Sequence, residues 1–329
     1  VEVLVSGPAS AESWHYRQVN ARAPGLGYLS NALIDLVRDG HPIVAGTGDL
    51  QYSNGLVRFA QAHPERFIQF GIAEQNMVSA AAGLASTGLY PYVATFASFL
   101  ALLACEQIRT DVAYSAFPVR LIGHHAGIAL GFYGTSHHAT EDLAIMRSIA
   151  DLTVIAPADG PQLAAAIKAT VDHPRPIYFR IGRGQEPAAY PDDVEFTLGK
   201  AVVHSEGTAL TVITCGTLVR PAIEAVNALR AAGKSVGLID MPTIKPIDRD
   251  AVLSAASRSS RILTVEEHNV IGGLGGAVAE VLADAGVPAR LFRHGIFDEY
   301  SLIAPPTHLY RHYRLDAAGI ESVAREVLG

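Results

Sequence analysis

Short, nearly continuous apolar runs alternate with stretches of helical spacing along almost the whole chain, the pattern of buried parallel strands joined by crossover helices. HPIVAGTG (41–48), FIQFGI (67–72), LYPYVATF (89–96), PVRLIGHH (118–125), the start of DLTVIAPAD and PIYFRIGRG (176–184) read as strands. Helices are expected from about Ala73 to Thr87, stopping at Gly88, and from Ser98 to about Ser115, with Phe99, Leu102, Leu103 and Ile108 as the apolar stripe. Another runs to about Val171 from Asp159, a capping side chain, and Pro161, placed where no amide donor is missed. The prolines and acids of QEPAAYPDDVEFTLGK mark a linker, after which the alternation resumes. ALTVITCG, SVGLIDM, RILTVEEH and ARLFRHGI read as strands, with helices ending at Ala232 before Gly233, starting at Asp248, opened by GGLGG, and starting at Asp316. The predicted fold is α/β, two doubly wound domains with mostly parallel sheets: an N-terminal extension 1–21, a first domain 22–184, a linker 185–198 and a second domain 199–329.

Composition agrees with two packed cores. The chain has 329 residues, 49% of them hydrophobic and 17% charged. A net charge of −7 without a Lys/Arg run gives no footprint for nucleic acid as a partner. Cys105 and Cys215 stand far apart in apolar contexts and read as thiols of a reducing compartment, so the cytoplasm is expected. The first residues lack the basic and apolar regions of a signal peptide. From Gln75 to Cys105 there is no charged residue, but Ser79, Gly83, Thr87, Gly88 and Pro91 interrupt that stretch. Two buried soluble elements fit it better than a membrane span.

Glu74 stands alone at the edge of this uncharged stretch, in FGIAEQNMVSAAAGLA. Taken by itself it reads as a solvated first-turn acid, favoured by the helix dipole. The small residues behind it, Ala80, Ala81, Ala82, Gly83 and Ala85, would let the helix of another subunit approach closely, which would put the acid at a buried seam. His124, His125, His137 and His138 bracket a glycine-containing segment. If the strand continues through them, His124 and His125 point to opposite faces, and no neighbouring cysteine or second turn of histidines completes a metal set, so no metal ligand is expected on this chain. Imidazoles that bind oxygens of a polar substrate are the better reading. Phe96 and Phe99 flank a strand-to-helix turn, and Arg183 ends a strand, where a guanidinium can grip an anion. GGLGG has neither the spacing of a dinucleotide fingerprint nor a need for one, since close helix packing explains it.

In order along the chain, GTGDLQYSNG, FGIAEQNMVSAAAGLA, TFASF, HHAGIALGFYGTSHHATEDLAIMRSI, TVIAPAD and RIGRG resemble the pyrimidine-binding half of a transketolase, and the second domain resembles that family's C-terminal domain. The resemblance implies thiamine diphosphate as cofactor. Glu74 matches the glutamate that hydrogen-bonds N1′ of the aminopyrimidine and activates the cofactor, Phe96 and Phe99 the aromatics packed on that ring, and Asp49 an acid near the thiazolium. It implies transfer of a two-carbon ketol unit from a ketose to an aldose. His125 and His137 match histidines of the substrate channel, His137 being the catalytic one close to the reacting hydroxyls. Ser53, Arg183 and Arg22 match residues that hold a distal phosphate, and Tyr133 and His138 fall to substrate binding in the same segment.

Two departures sharpen the expectation. Where most family members read GLGEDGPTH, this chain reads ALGFYGTSH, so Phe132 and Tyr133 replace two acids, which implies a donor other than the usual sugar phosphates. The family's G-D-G…N motif, which holds magnesium and the diphosphate, does not occur. The resemblance therefore implies the C-terminal subunit of a split transketolase, acting with a diphosphate-binding N-terminal subunit that carries Mg2+, in an α2β2 assembly in which this chain also pairs with its own copy. The β subunit of a 2-oxo-acid dehydrogenase, a deoxyxylulose-phosphate-synthase-like enzyme and a non-catalytic scaffold are the alternatives.

Overall fold

The computed structural model describes residues 24–329; Arg22 and the extension 1–21 lie outside the described residues. Two sheets organise the chain. In the first, β1 (Ile43–Thr47), β2 (Phe67–Gln69), β3 (Tyr90–Phe96), β4 (Arg120–His124), β5 (Thr153–Ile155) and β6 (Ile177–Arg180) are all parallel. In the second, β8 (Leu210–Thr214), β9 (Val236–Asp240), β11 (Arg261–Asn269) and β12 (Arg290–Ile296) are parallel, with β7 (Val202–Ser205) antiparallel at one edge. One more strand, β10 (Thr243–Lys245), brings the first sheet to seven. Its order is β10-β5-β6-β4-β3-β1-β2, and that of the five-stranded sheet is β12-β11-β8-β9-β7. Helices cover both faces of each sheet, which is why the central strands β1, β4 and β8 are buried at every position and read as continuous apolar runs.

The punctuation seen in the sequence is functional in the fold. Asp159, Asp248 and Asp316 each accept a hydrogen bond from the backbone N–H three residues on, capping the helices Gly160–Ala169, Arg249–Arg258 and Ala317–Leu328. In GGLGG, a Cβ on Gly273 would fall 1.9 Å from Glu266 Oε2, so the glycine allows the helix to close onto the strand as expected.

Two elements differ from expectation. Residues 99–114 form two π-type segments, Phe99–Leu103 and Ile108–Tyr114, around a single α-turn. The wider turn rotates the buried face, so Leu100, Ala101, Ala104 and Ile108 are in the core, while Leu102 and Leu103 are about half exposed (55% and 53%). The other difference is β10. It comes from the second half of the chain yet pairs antiparallel with β5 at the edge of the first sheet. One cluster of buried side chains accordingly runs from Met77 and Leu121 through Val154 and Ala156 to Ile213, Ile239 and Val278, across both halves.

The connecting segment is held down by a buried acid. Tyr190 Oη and Gln162 Nε2 both donate to Asp240 Oδ2, at 2.7 and 2.8 Å. Burial pushes the Asp240 carboxyl up from 3.8 to about 7. A carboxyl that holds its proton more tightly when folded contributes stability that is full below its unfolded value and is lost as pH rises through about 7. Asp240→Asn is therefore expected to gain on the parent chain in urea-unfolding stability as the pH is raised from about 4 to about 7. Parallel pH profiles for the two proteins would show that Asp240 does not titrate in this way.

Candidate active site

The carboxyl ends of β1, β3, β4 and β6 lie side by side, where ligands bind in open α/β sheets. Each delivers one part of the site. After β1 come Gly48 and Asp49; the loop after β2 leads to Glu74; β3 ends in Phe96, β4 in His124, and Arg183 follows β6.

Glu74 opens the helix Glu74–Ser86 and is buried, 7% exposed. Among the described residues its hydrogen-bond donor is the Thr95 hydroxyl, 3.2 Å from Oε1. The backbone of Gly48 faces the same oxygen; a Cβ there would come within 3.3 Å of Oε1. Met77, Val78, Ala81, Ala82 and Ala85 pack inward, so three of the small residues named above serve this chain's own core. The outer face, with Gln75, Asn76, Gly83 and Ser86, is exposed, and no atom lies within 4 Å of a Cβ built on Gly83.

The aromatic and imidazole rings form one cluster. Phe96 meets Phe99 edge-on at 5.2 Å between centroids, and His124, His125 and His137 surround it at 4.8, 5.3 and 5.3 Å. Tyr133 lies 4.9 Å from His137, whose Nδ1 is 2.9 Å from Ser136 Oγ. The strand alternation expected to separate His124 from His125 ends before it can act. His125 adopts φ 56°, a left-handed conformation, and this turns both rings to the same side with their Nδ1 atoms 2.6 Å apart. Because that contact needs one donor and one acceptor, the pair carries complementary tautomers.

Burial holds all four imidazoles below the usual histidine value: His124 far below, His125 down to about 3 with the nearby Arg183 charge adding to the effect, and His137 and His138 more modestly. At neutral pH they are neutral and can accept protons or hydrogen bonds. His138 turns away from the cluster, and its Nδ1 meets Ser301 Oγ.

The remaining predicted residues are more dispersed. Asp49 is exposed, with φ 64°, and its N–H donates to Gln69 Oε1 at 2.7 Å. Ser53 donates to Leu50 O. Arg183 lines a cleft of about 380 Å³ together with Glu186 of the connecting segment and Thr217 and Tyr310 of the second half. Phe132 and Tyr133 are 67% and 61% exposed. Sequence reasoning missed Thr95 and Ser136, since a lone hydroxyl carries no spacing signal. No group of three or more His, Cys, Asp or Glu among the described residues is arranged to hold a metal ion, and no described helix is long and apolar enough to cross a membrane.

Residues 27–187 match the transketolase pyrimidine binding domain and residues 199–320 the transketolase C-terminal domain. The chain is 39% identical to one of the subunits of the apulose-4-phosphate transketolase of Phocaeicola vulgatus, over 91% of its own length and 95% of that protein's. It is 35% identical to a 6-deoxy-6-sulfo-D-fructose transketolase subunit of a Clostridium species, covering 90% of this chain and 91% of that one. A solved structure described as a split gene transketolase, inactive beta4 tetramer, superposes with a TM-score of 0.83 at 36% identity, covering 92% of this chain and 97% of the other.

Proposed function

Because the chain belongs to the transketolase family, we propose that it is the pyrimidine-binding subunit of a split transketolase, moving a two-carbon ketol unit from a ketose to an aldose in the cytoplasm. The observation that carries this reading is the near end-to-end match to a relative named as a transketolase subunit, together with a buried acid beside an aromatic cluster. The residues present fit the pyrimidine ring of thiamine diphosphate. Glu74 offers a carboxylate that the Thr95 hydroxyl satisfies on one oxygen, the bare Gly48 backbone leaves room beside it, and Phe96 and Phe99 offer apolar surface for a ring.

When bound, thiamine diphosphate would supply an acidic thiazolium carbon as the nucleophile that ketol transfer requires. Glu74 would hold the shared proton at N1′, and exclusion of water by the uncharged surround keeps that proton from being lost to solvent. Neutral His137 would accept protons from the donor's hydroxyls, His125 would accept a hydrogen bond from one of them, and Arg183 with Ser53 would hold a distal anionic group. Phe132 and Tyr133 would favour a donor with fewer or rearranged hydroxyls at that position. Mg2+ and the diphosphate fall to a partner subunit, in an α2β2 assembly where the exposed face of Glu74–Ser86 meets its own copy.

The test is reconstitution. This chain, its candidate partner, and the two mixed are each supplied with thiamine diphosphate and magnesium, and ketol transfer is followed from a panel of ketoses. Transfer is expected only in the mixture. Full activity from this chain alone, or oxidative decarboxylation of a 2-oxo acid with no ketol transfer, would overturn the reading.

A further inference from the structure

The segment 125–139 that carries the histidines is held at its feet by the other half of the chain. Gly127 and Ala139 bridge each other, N–H to O at 3.1 and 2.9 Å, closing the loop. Directly beneath, the end of β11 makes a row of contacts to the two feet. Glu267 Oε1 accepts from the Ile128 N–H at 2.8 Å. Arg180 Nη2 donates both to Ala139 O (3.1 Å) and to Glu267 O (2.9 Å). The Asn269 N–H donates to Thr140 O at 2.8 Å.

Glu267 is 2% exposed, and its carboxylate has two further donors, Tyr310 Oη on Oε1 and Thr217 Oγ1 on Oε2, both at 2.6 Å. The loop backbone is pressed against it: at Gly127, φ 62°, a Cβ would lie 2.2 Å from the Glu267 carboxyl carbon. No other side chain could stand there without moving the acid. Three donors on one buried carboxylate form a rigid anchor, since loss of the acceptor would leave buried N–H and O–H groups unpaired.

From this geometry we propose that Glu267 is a positioning residue, fixing the loop so that His125 and His137 meet Phe96 and the reacting groups. For what the loop does, the proposal rests on the transketolase reading; how the loop is held is independent of it. Thr217 and Tyr310 orient the carboxylate, and the second half of the chain thereby sets the geometry of a site whose other groups come from the first.

The experiment is backbone hydrogen exchange across residues 125–139 in the full chain, alone and mixed with the candidate partner, for the parent, Glu267→Ala and Glu267→Gln. Glu267→Ala is expected to speed exchange in this segment by about tenfold to a hundredfold, the loss of a charge-assisted hydrogen bond, with exchange elsewhere unchanged. Gln can still present an oxygen to the Ile128 N–H and should restore most of the protection. In the reconstituted pair, Glu267→Ala is expected to lower kcat more than it raises KM, because misplaced histidines harm the transition state more than ground-state binding.

Unchanged exchange in the segment, or exchange raised equally throughout the protein, would overturn the proposal. Should the alanine variant fail to fold, Tyr310→Phe and Thr217→Val each remove one donor, and segment protection untouched by both would overturn it equally. Loosening of the segment by Glu267→Ala, with no ketol transfer from the parent pair, would leave the anchor standing and retire the functional reading instead.

Discussion

Glu74→Gln is expected to leave folding and subunit assembly intact and to lower ketol transfer by about 10²–10⁴-fold, the range for removing a positioned acid–base group. Gln has the same length and can accept from Thr95 Oγ1 as the acid does at 3.2 Å, so the packing of the site is kept. What it lacks is a group that can hold and release a proton. The change also removes a negative charge from the first turn of the helix, worth about 0.3–1 kcal/mol at most, too little to unfold the chain. Turnover of the reconstituted pair, read beside its assembly by light scattering and its affinity for thiamine diphosphate, separates the two effects. Undiminished turnover would take Glu74 out of the chemistry.

The largest effect on stability is expected at Asp142. Its carboxylate accepts from Arg180 Nε at 2.9 Å and from Tyr178 Oη at 2.8 Å, and both ion-pair partners are almost wholly buried, Asp142 at 1% exposure and Arg180 at 4%. Burial alone would draw the Arg180 guanidinium down, but the Asp142 and Glu267 charges outweigh it and hold it above its ordinary value. Asp142→Ala leaves that cation buried beside a hole. The loss should be about 3–5 kcal/mol, the range for breaking a buried pair from one side. A double change to apolar residues of similar volume, Asp142→Leu with Arg180→Met, should recover much of it. Denaturant midpoints measure both, and a single-variant loss under about 1 kcal/mol would show that the pair is solvated in solution.

Much of the fold was legible in the sequence because parallel strands buried on both faces leave continuous apolar runs, and Asp159, Asp248 and Asp316 announced their helices. Short elements escaped. The helix Asp142–Ser148 and the edge strands β7 and β10 carry too few residues to show a period, and β10 pairs with a strand far away in sequence. The π-type turns of 99–114 escaped for another reason, since a helical stripe read at the ordinary period names Leu102 and Leu103 where Leu100, Ala101 and Ala104 are buried.

In the candidate site, Glu74, Phe96, Phe99, His125, His137 and Tyr133 were all named from sequence, and the geometry gathers the five rings into one cluster. His124 joins them only because His125 is left-handed, a backbone choice that the dipeptide itself does not announce. Glu267 does carry a signal in the sequence: two adjacent acids in TVEEH, directly after the run Ile262–Val265 of a strand buried from Ile262 to His268. Charged residues in such a place require partners, and both acids find them in backbone amides.

The strand exchange at β10 has a consequence for how such a chain can be rearranged. Severing the polypeptide in the connecting segment would strip β5 of its neighbour and leave two unpaired edges, each a template for indiscriminate association. Recombination that carries the two halves off separately should therefore yield insoluble fragments, whereas a module that travels whole keeps its borders sealed.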